Sequence, residues 1–306
     1  MVALAACCLA ATGVSAAFES GRAAFDLTIN GELVIPYQVF AVYVLPGERL
    51  EISSEAATAV AESGRLTRSP SGSWTWVAPA EAGLSALTFT AESEQIRLNA
   101  IVLHPASAIE DGRLFDYPIG EYPDPLRGDP VYLPPDGFIE LTADLLDLKL
   151  SPHFTLRQFP SKQSAALPKF LVLRESLLLK LELLLERLNE VGVEADTFTV
   201  MSGYRTPTYN RAIGNGQHSR HIYGGAADIY VDVTPRDDIM DDLNGDGGFD
   251  FRDAQWLYRL ADELFSRPVN SDFRGGLGVY RSTSAHGPFM HVDARGVRAR
   301  WGLIPD

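Results

Sequence analysis

Cysteine is nearly absent. The 306-residue chain has two, Cys7 and Cys8, side by side near the start. None follows, so the remainder can form no internal disulfide, and cysteine usage says nothing of compartment. Positive charge is also scarce: 26 Lys and Arg stand against 40 Asp and Glu, a formal net charge of -14. A nucleic-acid partner needs a basic face, so no nucleic-acid partner is expected. Long apolar runs are missing after the first stretch, and no transmembrane helix is expected in the mature chain. Histidine is sparse as well, yet four of the six fall close together in the C-terminal half: His218, His221, His286 and His291.

What is present is ordinary for a globular protein, with 46% hydrophobic and 22% charged residues. The length favours two folded units with a connection between them. Residues 1–17, MVALAACCLAATGVSAA, are small and apolar and end in an Ala-Xaa-Ala-like pattern at Ser15-Ala16-Ala17. They read as a signal peptide, too short to span a bilayer, and imply export to the periplasm or cell envelope. Leu4-Ala5-Ala6-Cys7 also resembles a bacterial lipobox, which would make Cys7 a lipid anchor if translation begins upstream. The plainer reading makes Cys7 and Cys8 small residues of the leader.

Residues 18–107 carry short alternating or apolar runs, among them Phe25-Asp-Leu-Thr-Ile, Arg49-Leu-Glu-Ile, Ser73-Trp-Thr-Trp-Val and Ile96-Arg-Leu-Asn-Ala-Ile-Val-Leu. Asn30-Gly31, Pro46-Gly47, Ser71-Gly72 and Ala82-Gly83 punctuate them. The pattern predicts an all-β antiparallel sandwich. Trp76-Val-Ala-Pro-Ala-Glu-Ala-Gly resembles the late-strand corner of bacterial immunoglobulin-like modules, and His104 reads as a strand-end residue. Residues 108–150 are rich in Pro, Gly, Asp and Tyr and predict a linker lying along a domain surface.

A second unit spans residues 151–306. Leu171, Val172, Leu178, Leu181, Leu185 and Leu188 recur at helical spacing, which predicts an amphipathic helix over Lys169–Glu190 whose stripe is core. Thr197-Phe-Thr-Val-Met follows as a strand. In Ala226-Ala-Asp-Ile-Tyr-Val-Asp-Val, strand alternation sets Ile229, Val231 and Val233 on one face and Asp228, Tyr230 and Asp232 on the other. In Phe289-Met-His-Val-Asp, His291 and Asp293 share a face. Two neighbouring strands would thus aim Asp228 and His291 at one point. His221 would join them from the preceding loop, where Gly224 and Gly225 free the chain to turn. Two imidazoles and one carboxylate suit zinc, and three protein ligands leave a fourth position for water.

Ser202-Gly-Tyr-Arg-Thr-Pro, Ser219-x-His-x-x-Gly-x-Ala-x-Asp and Gly278-Val-Tyr with Phe289-x-His-x-Asp resemble the M15-type zinc D-Ala-D-Ala peptidases and their murein-endopeptidase relatives. The resemblance covers roughly residues 151–302. It implies an α+β fold of the DD-peptidase/Hedgehog-like kind, with His221, Asp228 and His291 as zinc ligands. It also implies that Arg205 binds a substrate carboxylate or carbonyl, with Tyr204 and Ser219 beside it. The pattern departs at the general base, because Gly287-Pro-Phe-Met occupies the positions where many relatives carry an acid. His286 and Asp293 remain as catalytic candidates. Asp293 is read either as base or as the carboxylate that orients His291.

An insertion over residues 234–268 holds Asp242-Leu-Asn-Gly-Asp-Gly-Gly-Phe-Asp-Phe-Arg-Asp253. Asp242, Asn244, Asp246, Gly248, Asp250 and Asp253 fit the spacing of a twelve-residue calcium loop, with Arg252–Phe265 as the exiting helix. The expectation is therefore a two-domain exported protein with catalytic zinc and structural calcium, cutting an amide bond in peptidoglycan. The alternative is a catalytically inactive, zinc-containing wall-binding or signalling module.

Overall fold

The computed structural model describes residues 18–303. The expected signal peptide and Cys7 lie outside the described residues. The described residues open with nine strands: β1 (Arg22–Ile29), β2 (Leu33–Tyr37), β3 (Val39–Val44), β4 (Arg49–Ser54), β5 (Thr58–Ala61), β6 (Arg65–Arg68), β7 (Trp74–Val77), β8 (Gly83–Ala91) and β9 (Glu94–Val102). They form one sheet in the order β2-β1-β4-β7-β6 and another in the order β3-β9-β8-β5. Alternation turns Leu50 and Ile52 of β4 inward and leaves Arg49 and Glu51 in water. Trp74 lies edge-on to Phe89 of the other sheet, ring centroids 6.3 Å apart.

The expected antiparallel pairing holds except between β3 and β9, which run parallel. β2 escapes the sequence pattern because Pro36 interrupts it; a proline is tolerated there because β2 is a sheet edge.

The segment expected as a linker is folded. It contains β10 (His104–Pro105), β11 (Ile109–Glu110), β12 (Arg113–Leu114), β13 (Tyr117–Pro118) and β14 (Gly137–Leu141). β14 pairs with β10 on one side and with β15 (Lys169–Leu171) on the other, so a single sheet crosses the expected boundary at 150. Leu114, Tyr117 and Ile119 are buried, which explains why so proline-rich a stretch stays packed.

β15 also corrects the helix boundary. Residues 169–171 join the β14 edge, and the helix α1 begins only at Glu175 (Glu175–Glu190). After it come β16 (Thr199–Ser202), α2 (Pro207–Ala212), β17 (Ala226–Tyr230), α3 (Phe251–Ser266), β18 (Gly276–Tyr280), β19 (Phe289–Asp293) and β20 (Ala299–Trp301). The sheet order is β16-β17-β19-β18-β20, all antiparallel except β18–β20. α1 buries Leu177, Leu181, Leu184 and Leu188, and also Lys180 and Glu182.

The N-terminal sheets are tied to α1. Glu186 accepts from both Arg22 (2.8 Å) and the Tyr37 hydroxyl (3.1 Å), and Glu175 accepts from the Tyr43 amide (3.1 Å). Among the described residues, no helix is long and apolar enough to cross a membrane.

Candidate metal centre

β17 and β19 are antiparallel neighbours, and their register sets Asp228 opposite His291. Because side chains alternate, Ala227, Ile229, Met290 and Val292 share the core face and are fully buried. Asp228, His291 and Asp293 occupy the other. His221 arrives from the single 3-10 turn Arg220–Tyr223. Gly224 ends that turn at φ +64°, and a Cβ there would meet the Val172 carbonyl oxygen at 2.4 Å. Only glycine suits the position, and the left-handed step swings the chain from His221 into β17.

The three side chains converge. His291 Nδ1 lies 2.8 Å from Asp228 Oδ1, and His221 Nε2 lies 3.2 Å from each of those two atoms. The outward nitrogens are already committed. His221 Nδ1 donates to the Gly203 carbonyl (2.7 Å), and His291 Nε2 donates to Asp293 Oδ2 (3.2 Å). Each neutral ring then presents a bare lone pair inward, beside a carboxylate oxygen. Three acceptors gathered in a buried space call for a cation.

The electrostatics differ between the two rings. Burial holds the His221 pKa below its ordinary value despite the Asp228 charge. Burial also penalises charged His291, but Asp228 and Asp293 outweigh it and raise its pKa. Burial would raise the pKa of Asp228, yet the two imidazoles bring it well below the usual carboxylate range. Among the described residues, this is the one group of His, Cys, Asp and Glu whose ligand atoms all lie within 4.8 Å of one another.

Residues 152–252 match the Peptidase M15 family. The C-terminal region carries a Peptidase M15 domain. The matched stretch includes His221 and Asp228 and stops short of His291, which the fold brings in from the next strand over. No family is assigned to the β-rich N-terminal region, and no curated protein matches the chain. An M15 domain with a buried set of two histidines and an aspartate is the arrangement of a metallopeptidase, and the donors suit zinc.

Around this M15 centre the other expected residues take distinct places. Asp293 is fully buried and saturated: it accepts from the Gly276 amide (2.8 Å), from the Arg295 amide and guanidinium, and from His291. Gly276 makes this possible, since a Cβ there would fall 2.1 Å from Asp293 Oδ2. Burial would raise its pKa, but His291 and Arg295 push it far down. Asp293 lies on the ring nitrogen of His291 turned away from Asp228.

Arg205 is held inside the site. Its Nη2 donates to Asp228 and its Nε to Ser202 Oγ (2.8 Å). Tyr204, expected beside Arg205 at the substrate, is buried, with its hydroxyl 3.0 Å from that of Tyr122 in the stretch expected as a linker. Ser219 is half-buried, immediately before the His221 turn, with no side-chain cap bond. His286 sits in the β18–β19 loop, donates Nδ1 to the Gly287 carbonyl (2.8 Å) and stands edge-on to Phe289. His218 is drawn to the linker, through the Asp124 carbonyl (3.0 Å) and the Tyr132 ring.

Sequence reasoning missed Arg295, Lys180 and Trp301. Trp301 packs at 5.2 Å from the His291 ring and donates to the Tyr280 hydroxyl (2.8 Å). Only the spacing Asp293-x-Arg295 on one face hinted at the first of these.

The calcium expectation is not supported. Asp242 accepts from the Gly245 and Gly247 amides, Asn244 from the Asp246 amide and Asp246 from the Gly248 amide. Asp250 and Asp253 form a capping box on α3. The carboxylates close the loop on its own backbone and do not gather at one point.

Proposed function

We propose that the protein is an exported zinc metallopeptidase that hydrolyses an amide bond in peptidoglycan stem peptides or cross-links. The convergence of His221 Nε2, Asp228 Oδ1 and His291 Nδ1 inside an M15 domain carries the reading. Export rests on the leader-like pattern of residues 1–17 alone, and the peptidoglycan substrate on the resemblance of the three motifs.

His221, Asp228 and His291 would hold the ion. Zinc there would supply Lewis acidity and an acidified water at an open position. The chain's own residues supply the rest. The Gly203 carbonyl and Asp293 each hold a proton on the outward nitrogen of a ligand ring, keeping the inward nitrogen unprotonated. Arg205 Nε and Nη2 are engaged, which leaves Nη1 to meet a substrate oxygen and fix its orientation. His286, with Nδ1–H held by the Gly287 carbonyl, keeps Nε2 as a lone pair that could take a proton from the attacking water and pass it to the leaving amine.

One observation favours a second reading. With Asp293 saturated, no carboxylate of those expected is left as base, which is what a wall-binding module without turnover would show. Mass analysis of purified wall fragments separates the two. Incubation with wild type should yield new cleavage products that His221→Ala does not make. Intact fragments that nevertheless co-sediment with the protein would identify the binder.

A further inference from the structure

The leucine stripe of α1 contains a lysine. Lys180 is fully buried beside Leu177, Leu181 and Leu184, where an apolar residue would pack without desolvating a charge. Its Nζ donates to the main-chain oxygen of Asp293 at 2.8 Å and lies 4.5 Å over the Phe265 ring of α3. Burial pulls its pKa down to about 7, with the Asp293 carboxylate pulling the other way. The contact is a constructed one. A Cβ at Gly275 would fall 1.8 Å from that same oxygen and 2.8 Å from Nζ, so glycine is what lets strand and amine meet. The oxygen belongs to the residue whose carboxylate holds His291 Nε2.

We propose that Lys180 is a positioning residue for the metal centre. Its hydrogen bond pins the end of β19, and thereby sets Asp293 behind His291 and the Nδ1 lone pair toward Asp228 and His221. The helix thus reaches the site through two steps, Lys180 to Asp293 and Asp293 to His291. The inference rests on the reading of His221, Asp228 and His291 as zinc ligands. A lysine serving only to fill the core would be improved upon by methionine, with no consequence for the ion.

The test uses the full chain and zinc alone, with affinity measured by competition against a chromophoric chelator and thermal unfolding measured without metal. Lys180→Met is expected to unfold at or above the wild-type temperature while its zinc dissociation constant rises about tenfold, the scale of lost outer-shell partners. Lys180→Arg keeps a donor and should recover most of that affinity. Leu181→Ala, on the same buried stretch, should lower the unfolding temperature and leave zinc affinity unchanged. A folded Lys180→Met with wild-type zinc affinity overturns the proposal. Should that variant not fold, Gly275→Ala reaches the same hydrogen bond from the strand side, and wild-type affinity there is equally fatal. Failure of the wild type itself to bind zinc would instead overturn the metal reading beneath it.

Discussion

Asp228 and His291 face each other across the β17–β19 ladder, with Oδ1 and Nδ1 2.8 Å apart. Strand register sets that pair opposite each other, and His221 completes it from a turn closed by a left-handed glycine.

Removing any of the three donors should remove the ion. His221→Ala, Asp228→Ala and His291→Ala are each expected to lose bound zinc and to lower cleavage of wall fragments by roughly 1000-fold or more, a few kcal/mol of barrier. Metal content by elemental analysis and product yield by mass spectrometry check this. Full activity in a zinc-free variant would rule out a metallopeptidase.

Asp293→Asn separates orientation from proton transfer. An orienting carboxylate, once neutral, should weaken zinc affinity by about 10- to 100-fold and leave activity recoverable in excess zinc. Loss of activity with zinc fully retained would show that Asp293 takes a proton during turnover, contrary to its saturated hydrogen bonding.

His153 joins the two parts of the chain and titrates. Its Nδ1 lies 2.6 Å from the fully buried Glu182 carboxylate, and its Nε2 3.0 Å from the Glu19 carbonyl. Burial lowers its pKa, but the Glu182 hydrogen bond and charge win and raise it overall. A folded pKa above the unfolded value of about 6.5 adds stability that is complete below that pH and is lost as pH rises through the folded pKa. Wild type should thus exceed His153→Gln by about 1–3 kcal/mol at mildly acid pH, with the gap closing at alkaline pH. Urea unfolding of zinc-free protein across pH measures it; a gap that widens with pH would contradict the assigned pairing.

Gly224→Ala should destabilise the chain by about 1–3 kcal/mol, from left-handed strain plus the clash with the Val172 carbonyl. Gly225→Ala should be milder, because its Cβ would meet side-chain atoms alone, Arg220 Nη2 at 3.2 Å and Arg174 Cδ at 3.4 Å, with no left-handed strain. Thermal unfolding of the two variants side by side decides the order.

Much of the centre was legible because its cues are local. Alternation over five residues put Asp228 and His291 on the polar face of their strands, and the short motif around His221 named the third donor. The calcium loop shows the limit of such cues. Its spacing matched, but spacing does not say whether a carboxylate turns toward an ion or back onto its own amides, and here it caps the loop and α3. The stretch 108–150 misled for a related reason. Proline removes periodicity, and without periodicity the packing of Tyr122 on Tyr204 and of Tyr132 on Tyr223 leaves no trace along the chain.

The amino-acid order by itself determined which residues point out of each strand, where the leucine stripe lies and which three donors suit zinc, because side-chain direction follows backbone period within a few residues. Only the tertiary structure decided that Asp293 meets His291 on the nitrogen turned away from Asp228, that Arg205 grips Asp228, and that Lys180 reaches Asp293 from a helix more than a hundred residues earlier. Those pairings depend on register and chain closure, and no local pattern encodes the distance between atoms that meet only once the sheet has formed.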